Sequence, residues 1–289
     1  MMKKDQHVRF AWIRIRRWQF SLKTVFIGVS IAACIGAWFG ELRRRSQSAW
    51  DPIRTISSAN ESWIRFRNDS PCATTPMAKV LGIDFPPEPY IVRIDCTERK
   101  LELLRSVSKL PAIQLLQICS DNGLSDADLE IIASLPNLRT LSISCKNVTG
   151  TGMVYFKDNR MINAVHFRDC VKFGEEGISL LSDLPSLQHL SLSGCSVSDR
   201  DCQSFVLLKN LKNLDLSKTK VGDDIAIYLV QCDKLETVNL YGTLISDYGI
   251  DVIGSMSRLR NITVSKSRVT MAGVDRLKRM RSDVQVFGP

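Results

Sequence analysis

"LQHLSLSGCSVSD" (Leu187–Asp199) decides how this chain folds, because it returns. "LKNLDLSKTKVGD" begins at Leu211 and "LETVNLYGTLISD" at Leu235, 24 residues on in each case. Working outward, "LRTLSI" at Leu138, "INAVHF" at Ile162 and "LRNITV" at Leu259 keep the L-x-x-L-x-L pattern, with starts 24 or 25 residues apart. "IQLLQI" at Ile113 lies 25 residues before Leu138, and "VRI" at Val92 lies 24 before "LQI" at Leu116. A fixed period of this length over about eight coils is the mark of a solenoid. L-x-x-L-x-L turns apolar side chains inward from a short strand and leaves the residues between them exposed. A turn follows, then a helical stretch whose apolar residues recur three or four apart, as at Ile250, Ile253 and Met256. One coil cannot bury its own strand and helix, whereas stacked coils share a continuous core. The expected fold is an α/β solenoid, a horseshoe with parallel short strands inside and helices outside. It occupies residues 90–289.

Within this register "GCSVSDRDC" (Gly194–Cys202) ceases to look like a metal or redox site. Counted from the first leucine, Cys195 falls ninth, where other coils have Cys170, Thr219, Thr243 and Ser267. That place calls for a small group that hydrogen-bonds backbone as the chain leaves the strand. Val197 shares an inward position with Val148, Val221, Ile245 and Val269, and Cys202 a core position with Met153, Ala226, Ile250 and Val274. Ser198–Asp199, like Ser246–Asp247, has the hydroxyl-then-acid composition of a helix start. Cys232 groups with Leu208, Met256 and Met280 as core. Nine cysteines with no C-x-x-C and no paired Cys/His spacing give no metal site, and no cofactor motif is present. Cys170 and Cys195 lie in adjacent coils, within reach of each other if oxidised.

The unit L-x-x-L-x-L-x-x-[C/T]-x-[I/V]-[S/T/G]-[D/E], seen in "LSLSGCSVSD", "LDLSKTKVGD" and "VNLYGTLISD", resembles that of leucine-rich repeat proteins. It is closest to their cysteine-containing class, found in the substrate-binding arms of F-box proteins. The resemblance implies a non-catalytic interaction module. No F-box-like helical segment precedes the repeats, and the order of parts looks like that of bacterial membrane-anchored leucine-rich repeat proteins.

The net charge of +9 suggests nucleic acid until it is located. Residues 1–45 carry ten Lys or Arg against two acids, and the remaining 244 carry 29 against 28. A near-neutral body excludes a broad phosphate-binding surface, so no nucleic-acid partner is expected. Residues 1–19 form a basic segment, and the apolar stretch within 20–40 is expected to cross a membrane. Thr24–Gly40 gives 17 uncharged residues, and Lys23, Trp18 and Trp38 suit the two interfaces. Seven basic residues precede this span and four follow it closely, which keeps the N-terminus cytoplasmic and the repeats on the other side. "IAAC" (Ile31–Cys34) offers the alternative of a lipoprotein anchored at Cys34. Residues 41–89 are the linker and cap, in which "SWIRFR" (Ser62–Arg67) alternates like a strand. Pro86, Pro87 and Pro89 forbid regular structure before the first coil.

The exposed strand positions form the expected concave binding surface. The fifth position carries Gln117, Ser142, His166, Ser191, Asp215, Asn239 and Thr263. The third carries Leu115, Thr140, Ala164, His189, Asn213, Thr237 and Asn261. Arg168 and Tyr241, at the seventh, are the residue types that act as anchors at interfaces. This small, polar surface suits a protein partner, or an envelope polymer, and no enzyme is expected. Two alternatives stay open: a substrate-recognition subunit of a larger assembly, and a hydrolase built on His166, Ser191 and Asp215. The second has its residues in the wrong order, since a triad needs the histidine between serine and aspartate.

Overall fold

The computed structural model describes residues 37–38, 40–41, 44–45, 47–58, 63–66, 89–95, 100–157 and 159–288. Contacts divide the chain into Met1–Arg45 and Ser46–Pro289. In the first unit Glu41 pairs with Arg44 and Arg45 at 3.2 and 3.1 Å. The span expected over 20–40 lies almost wholly outside the described residues, among which no helix is long and apolar enough to cross a membrane.

The second unit is built on one ten-stranded sheet in simple sequence order. Its strands are β1 (Trp63–Phe66), β2 (Pro89–Asp95), β3 (Leu115–Cys119), β4 (Thr140–Ser144), β5 (Ala164–Phe167) and β6 (His189–Ser191). They continue as β7 (Asn213–Asp215), β8 (Thr237–Asn239), β9 (Asn261–Thr263) and β10 (Gln285–Phe287). β1 runs antiparallel to β2, and every later pair is parallel. Proline was expected to bar regular structure before the first coil, yet Pro89 opens β2. It faces Phe66 where the register with β1 shifts, a strand-start position that proline tolerates.

The register aligns equivalent positions: Val165 pairs with Leu190, Leu190 with Leu214, and Leu214 with Val238. Ile118, Ile143, Phe167, Leu192, Leu216, Leu240 and Val264 form a second inward column with no exposed area. Val148, Val197, Val221, Ile245 and Val269 close the core beyond the strands, and Cys202 and Cys232 are buried in it. Met280, grouped with them by position, is 55% exposed because no described coil follows to cover it. Ile53 and Ile56, in the helical residues 47–57, join the same core. The helical segments between strands are short and partly 3-10, among them Thr151–Phe156, Glu175–Leu181, Asp199–Leu207, Asp247–Gly254 and Met271–Met280.

The acids of the turn do something the sequence pattern did not reveal. Ser198 does start a helical segment, but its backbone N–H and hydroxyl both donate to Asp201 at 2.7 Å. Asp199 reaches forward instead, accepting from the Gly222 N–H of the next coil at 2.8 Å. Asp223 accepts from the Ser246 N–H and hydroxyl at 2.7 and 2.6 Å, and from the Gly249 N–H at 3.1 Å. Asp247 does the same for the Thr270 N–H and hydroxyl, each at 2.7 Å. Upstream, Asp126 serves the Thr149, Gly150 and Gly152 N–H groups at 2.9 to 3.0 Å. These carboxylates satisfy the orphan donors that every helix start leaves. At these four joints part of the cap of one coil is therefore supplied by the coil before it.

Where the acid is missing the seam is built otherwise. Gly150 takes φ +93°, and a Cβ there would meet the Phe173 ring at 2.5 Å and the Gly177 Cα at 2.7 Å. The backbones of two coils thus touch, with Phe173 stacked on Phe167 at 4.3 Å between ring centroids.

Candidate functional site

The exposed side of the sheet carries a cleft of about 380 Å³ across β4 to β8. It is lined by Thr140, Ala164, His166, Arg168, His189, Ser191, Asn213, Asp215, Thr237 and Asn239, with Leu190 and Leu214 beneath. Strand register explains the grouping, because His166 pairs with Ser191 and Ser191 with Asp215. Of the residues read from the sequence as a binding surface, His166, Arg168, His189, Ser191, Asn213, Asp215 and Asn239 meet in this cleft. Gln117, Ser142, Tyr241 and Thr263 do not line it. Leu190 and Leu214 could not be picked out as lining, since their pattern marks them as core.

Hydrogen bonds fix most of the polar groups. The Ser191 hydroxyl donates to Asp215 Oδ2 at 3.1 Å, and the Ser217 N–H donates to Asp215 Oδ1 at 3.0 Å. Ser191, expected to face outward, is only 4% exposed, closed over between these neighbours. Serine therefore meets aspartate directly, and the relay in which a histidine takes the serine proton is not formed. Asn213 Nδ2 lies 2.9 Å from His189 Nδ1. An amide nitrogen only donates, so Nδ1 accepts and the ring proton sits on Nε2.

His166 Nδ1 and Arg168 lack such ties. His166 Nδ1 is buried without a hydrogen-bond partner. Burial, helped by the nearby Arg168 guanidinium and the His189 ring, holds His166 below its ordinary value of 6.5, while Asp215 pulls the other way. The ring is accordingly neutral at pH 7. Arg168 is exposed just past the end of β5, and its guanidinium makes no ion pair among the described residues. Tyr241, the other expected anchor, is already engaged: Lys266 Nζ sits 5.3 Å from its ring centroid.

The cysteines are structural in their geometry. Cys195 Sγ donates to the Phe167 carbonyl at 3.5 Å, and Cys170 Sγ to the Arg168 carbonyl at 3.4 Å. Thr219, Thr243 and Ser267, at the same ninth position, donate to the Leu216, Leu240 and Val264 carbonyls at 2.6 to 2.8 Å. Cys170 and Cys195 are both free, and the influence of each on the other holds the Cys170 thiol low and pushes that of Cys195 up. Burial pushes Cys202 up, and Cys232 up to about 11, which suppresses the thiolate form. No group of three or more His, Cys, Asp or Glu among the described residues is placed to hold a metal ion.

Residues 183–206 and 208–230 match the family described as Leucine Rich repeat, and these are the coils on which the cleft is centred. The chain carries leucine-rich repeats. Receptor-like protein 7 of Arabidopsis thaliana is 27% identical over 172 residues, 57% of this chain. The match spans only 17% of that relative's own length. An internalin from Listeria monocytogenes matches at 17% identity and a TM-score of 0.42, over 64% of this chain and 56% of the internalin chain. Leucine-rich repeat folds are typical of protein-interaction modules.

Proposed function

We propose that this leucine-rich repeat protein is a membrane-anchored interaction module that takes a protein partner on its concave sheet face, with no catalysis of its own. The observation that carries the reading is the cleft itself: a roofless polar surface across five strands holding an exposed arginine that makes no ion pair among the described residues. Polar groups left in that condition gain partners on association, and arginine is enriched where binding energy concentrates. The uncharged stretch within residues 20–40 would supply the anchor, with the basic N-terminus cytoplasmic and the repeats on the far side.

Asn213→Trp, which fills the cleft from β7, tests the binding half. The full chain should capture a partner that the variant does not, and identical partners would remove the cleft from consideration. Protease treatment of intact and opened cells tests the anchor. Digestion of the repeats only after the cytoplasm is opened would reverse the topology.

A further inference from the structure

We propose that the cleft selects its partner through one acidic side chain, whose aspartate or glutamate carboxylate pairs with the Arg168 guanidinium and takes a ring N–H bond from His189. The inference rests on the concave-face reading above and names the chemistry that face would recognise.

The polar groups of the cleft are sorted by charge across the strands. On the β5 side stand Arg168 and His166, with His189 on the neighbouring β6. Asp215, on β7, is already committed to the Ser191 hydroxyl and the Ser217 N–H. The unspent capacity is therefore donor capacity, and it lies at the cationic end. The guanidinium presents a fork that matches a carboxylate bidentately. The Asn213 bond leaves His189 with its N–H on Nε2, a second donor. His166, beside them, is kept neutral, with its Nδ1 buried. Ala164, at the third position of β5, puts no long side chain in the way.

The same balance argues for a single negative charge. One arginine beside two imidazoles, with an aspartate two strands away, matches one carboxylate. A phosphate ester carries nearly twice that charge and is met by clustered arginines. A strand of nucleic acid would bring successive phosphates against Asp215. Outside residues 1–45 the chain has no basic excess to hold one.

The bound anion also has a signature. The titratable and charged groups that act on His166 are Arg168 just past the end of its strand, His189 on β6 and Asp215 on β7. A carboxylate on Arg168 neutralises the like charge that disfavours imidazolium, so His166 should titrate at higher pH when the site is filled.

The chain has three histidines, and only His166 and His189 lie in the repeats, so their ring resonances are readable in the full-length protein. The probe is a pool of capped hexapeptides with one glutamate among neutral residues. Matched pools carry glutamine or phosphoserine at that place. The glutamate pool should move both ring signals and raise the His166 midpoint, the glutamine pool should do neither, and Arg168→Gln should weaken the response about tenfold or more. Arg168 is exposed, so circular dichroism should show the variant folded. An equal response to glutamine, an indifferent Arg168→Gln, or a response to phosphoserine alone would each overturn the carboxylate. Silence from the glutamate pool, with partner capture still lost in Asn213→Trp, overturns it and leaves the concave-face reading standing. Silence with capture unchanged removes both.

Discussion

Two kinds of seam join the coils of this solenoid, and the contrast shows how a repeat protein tolerates irregular repeats. Between the coils starting at Leu211 and Leu235 the joint is polar: one carboxylate, Asp223, receives three hydrogen bonds from the next coil. Between those starting at Leu138 and Ile162 it is steric, with Gly150 and Gly177 in backbone contact and Phe173 closing the gap. The second seam falls where the period changes, since the coil starting at Ile162 has 25 residues and its neighbours 24. Gly150 stands where Asp223 stands in its own coil, so no carboxylate is offered, and glycine permits the closer approach that replaces it. In a solenoid whose stability is a sum of coil and interface contributions, these seams should fail in different ways.

The largest effect is expected at the steric seam. In Gly177→Ala the new Cβ would lie 2.8 Å from both the Gly150 Cα and the Thr149 carbonyl oxygen. Backbone cannot yield as a side chain would, so the variant should lose about 3 kcal/mol and roughly 10 °C in Tm. A thermal melt matching wild type would show that the coils separate freely there.

Asp223→Ala should cost less, about 2 kcal/mol, because it strands the Ser246 and Gly249 donors near solvent that can partly replace the carboxylate. Hydrogen exchange should quicken at Ser246 and Gly249 and stay unchanged at Gly152, whose cap is Asp126. Equal quickening at both would mean that the seams are not separable.

The smallest effect separates two polar seams by pH. Bonds from the Thr270 backbone and hydroxyl hold Asp247 below the ordinary carboxylate value of 3.8, so its contribution is present above that value and is lost as pH falls through its own. Burial holds Asp199 above 3.8, so its contribution is present below that value and declines as pH rises through its own. Acidification from pH 5 to about 3 should therefore loosen Thr270 and Gly273 amides while Gly222 stays protected. Loss of protection at all three together would refute the assignment.

The register of the parallel strands was legible in the sequence, because an apolar residue at a fixed place in every coil can be buried only one way. Val197, Cys202 and the leucine columns could be assigned without coordinates for that reason. The carboxylates were half legible. Composition located Asp199, Asp223 and Asp247 at helix starts, but bonds to the next coil leave no trace in the spacing within one coil. The cleft was legible as a row and not as a site. Which of the exposed residues are already satisfied depends on partners one coil away, as with Asn213 on His189 or Lys266 on Tyr241. Ser191 shows the same limit, since alternation predicts the face of a side chain and not whether its neighbours close over it.

The direction of the carboxylate bonds bears on how the chain is made. Asp126, Asp199, Asp223 and Asp247 each complete the helix start of the coil that follows, never of the coil that precedes. During synthesis the N-terminal coil emerges first, and the next, some 24 residues later, follows after roughly 1–5 s. Helix formation is faster by several orders of magnitude. At these four joints the new helix start thus meets a cap that is already in place, and the solenoid can lengthen there in step with translation, one coil templating the next.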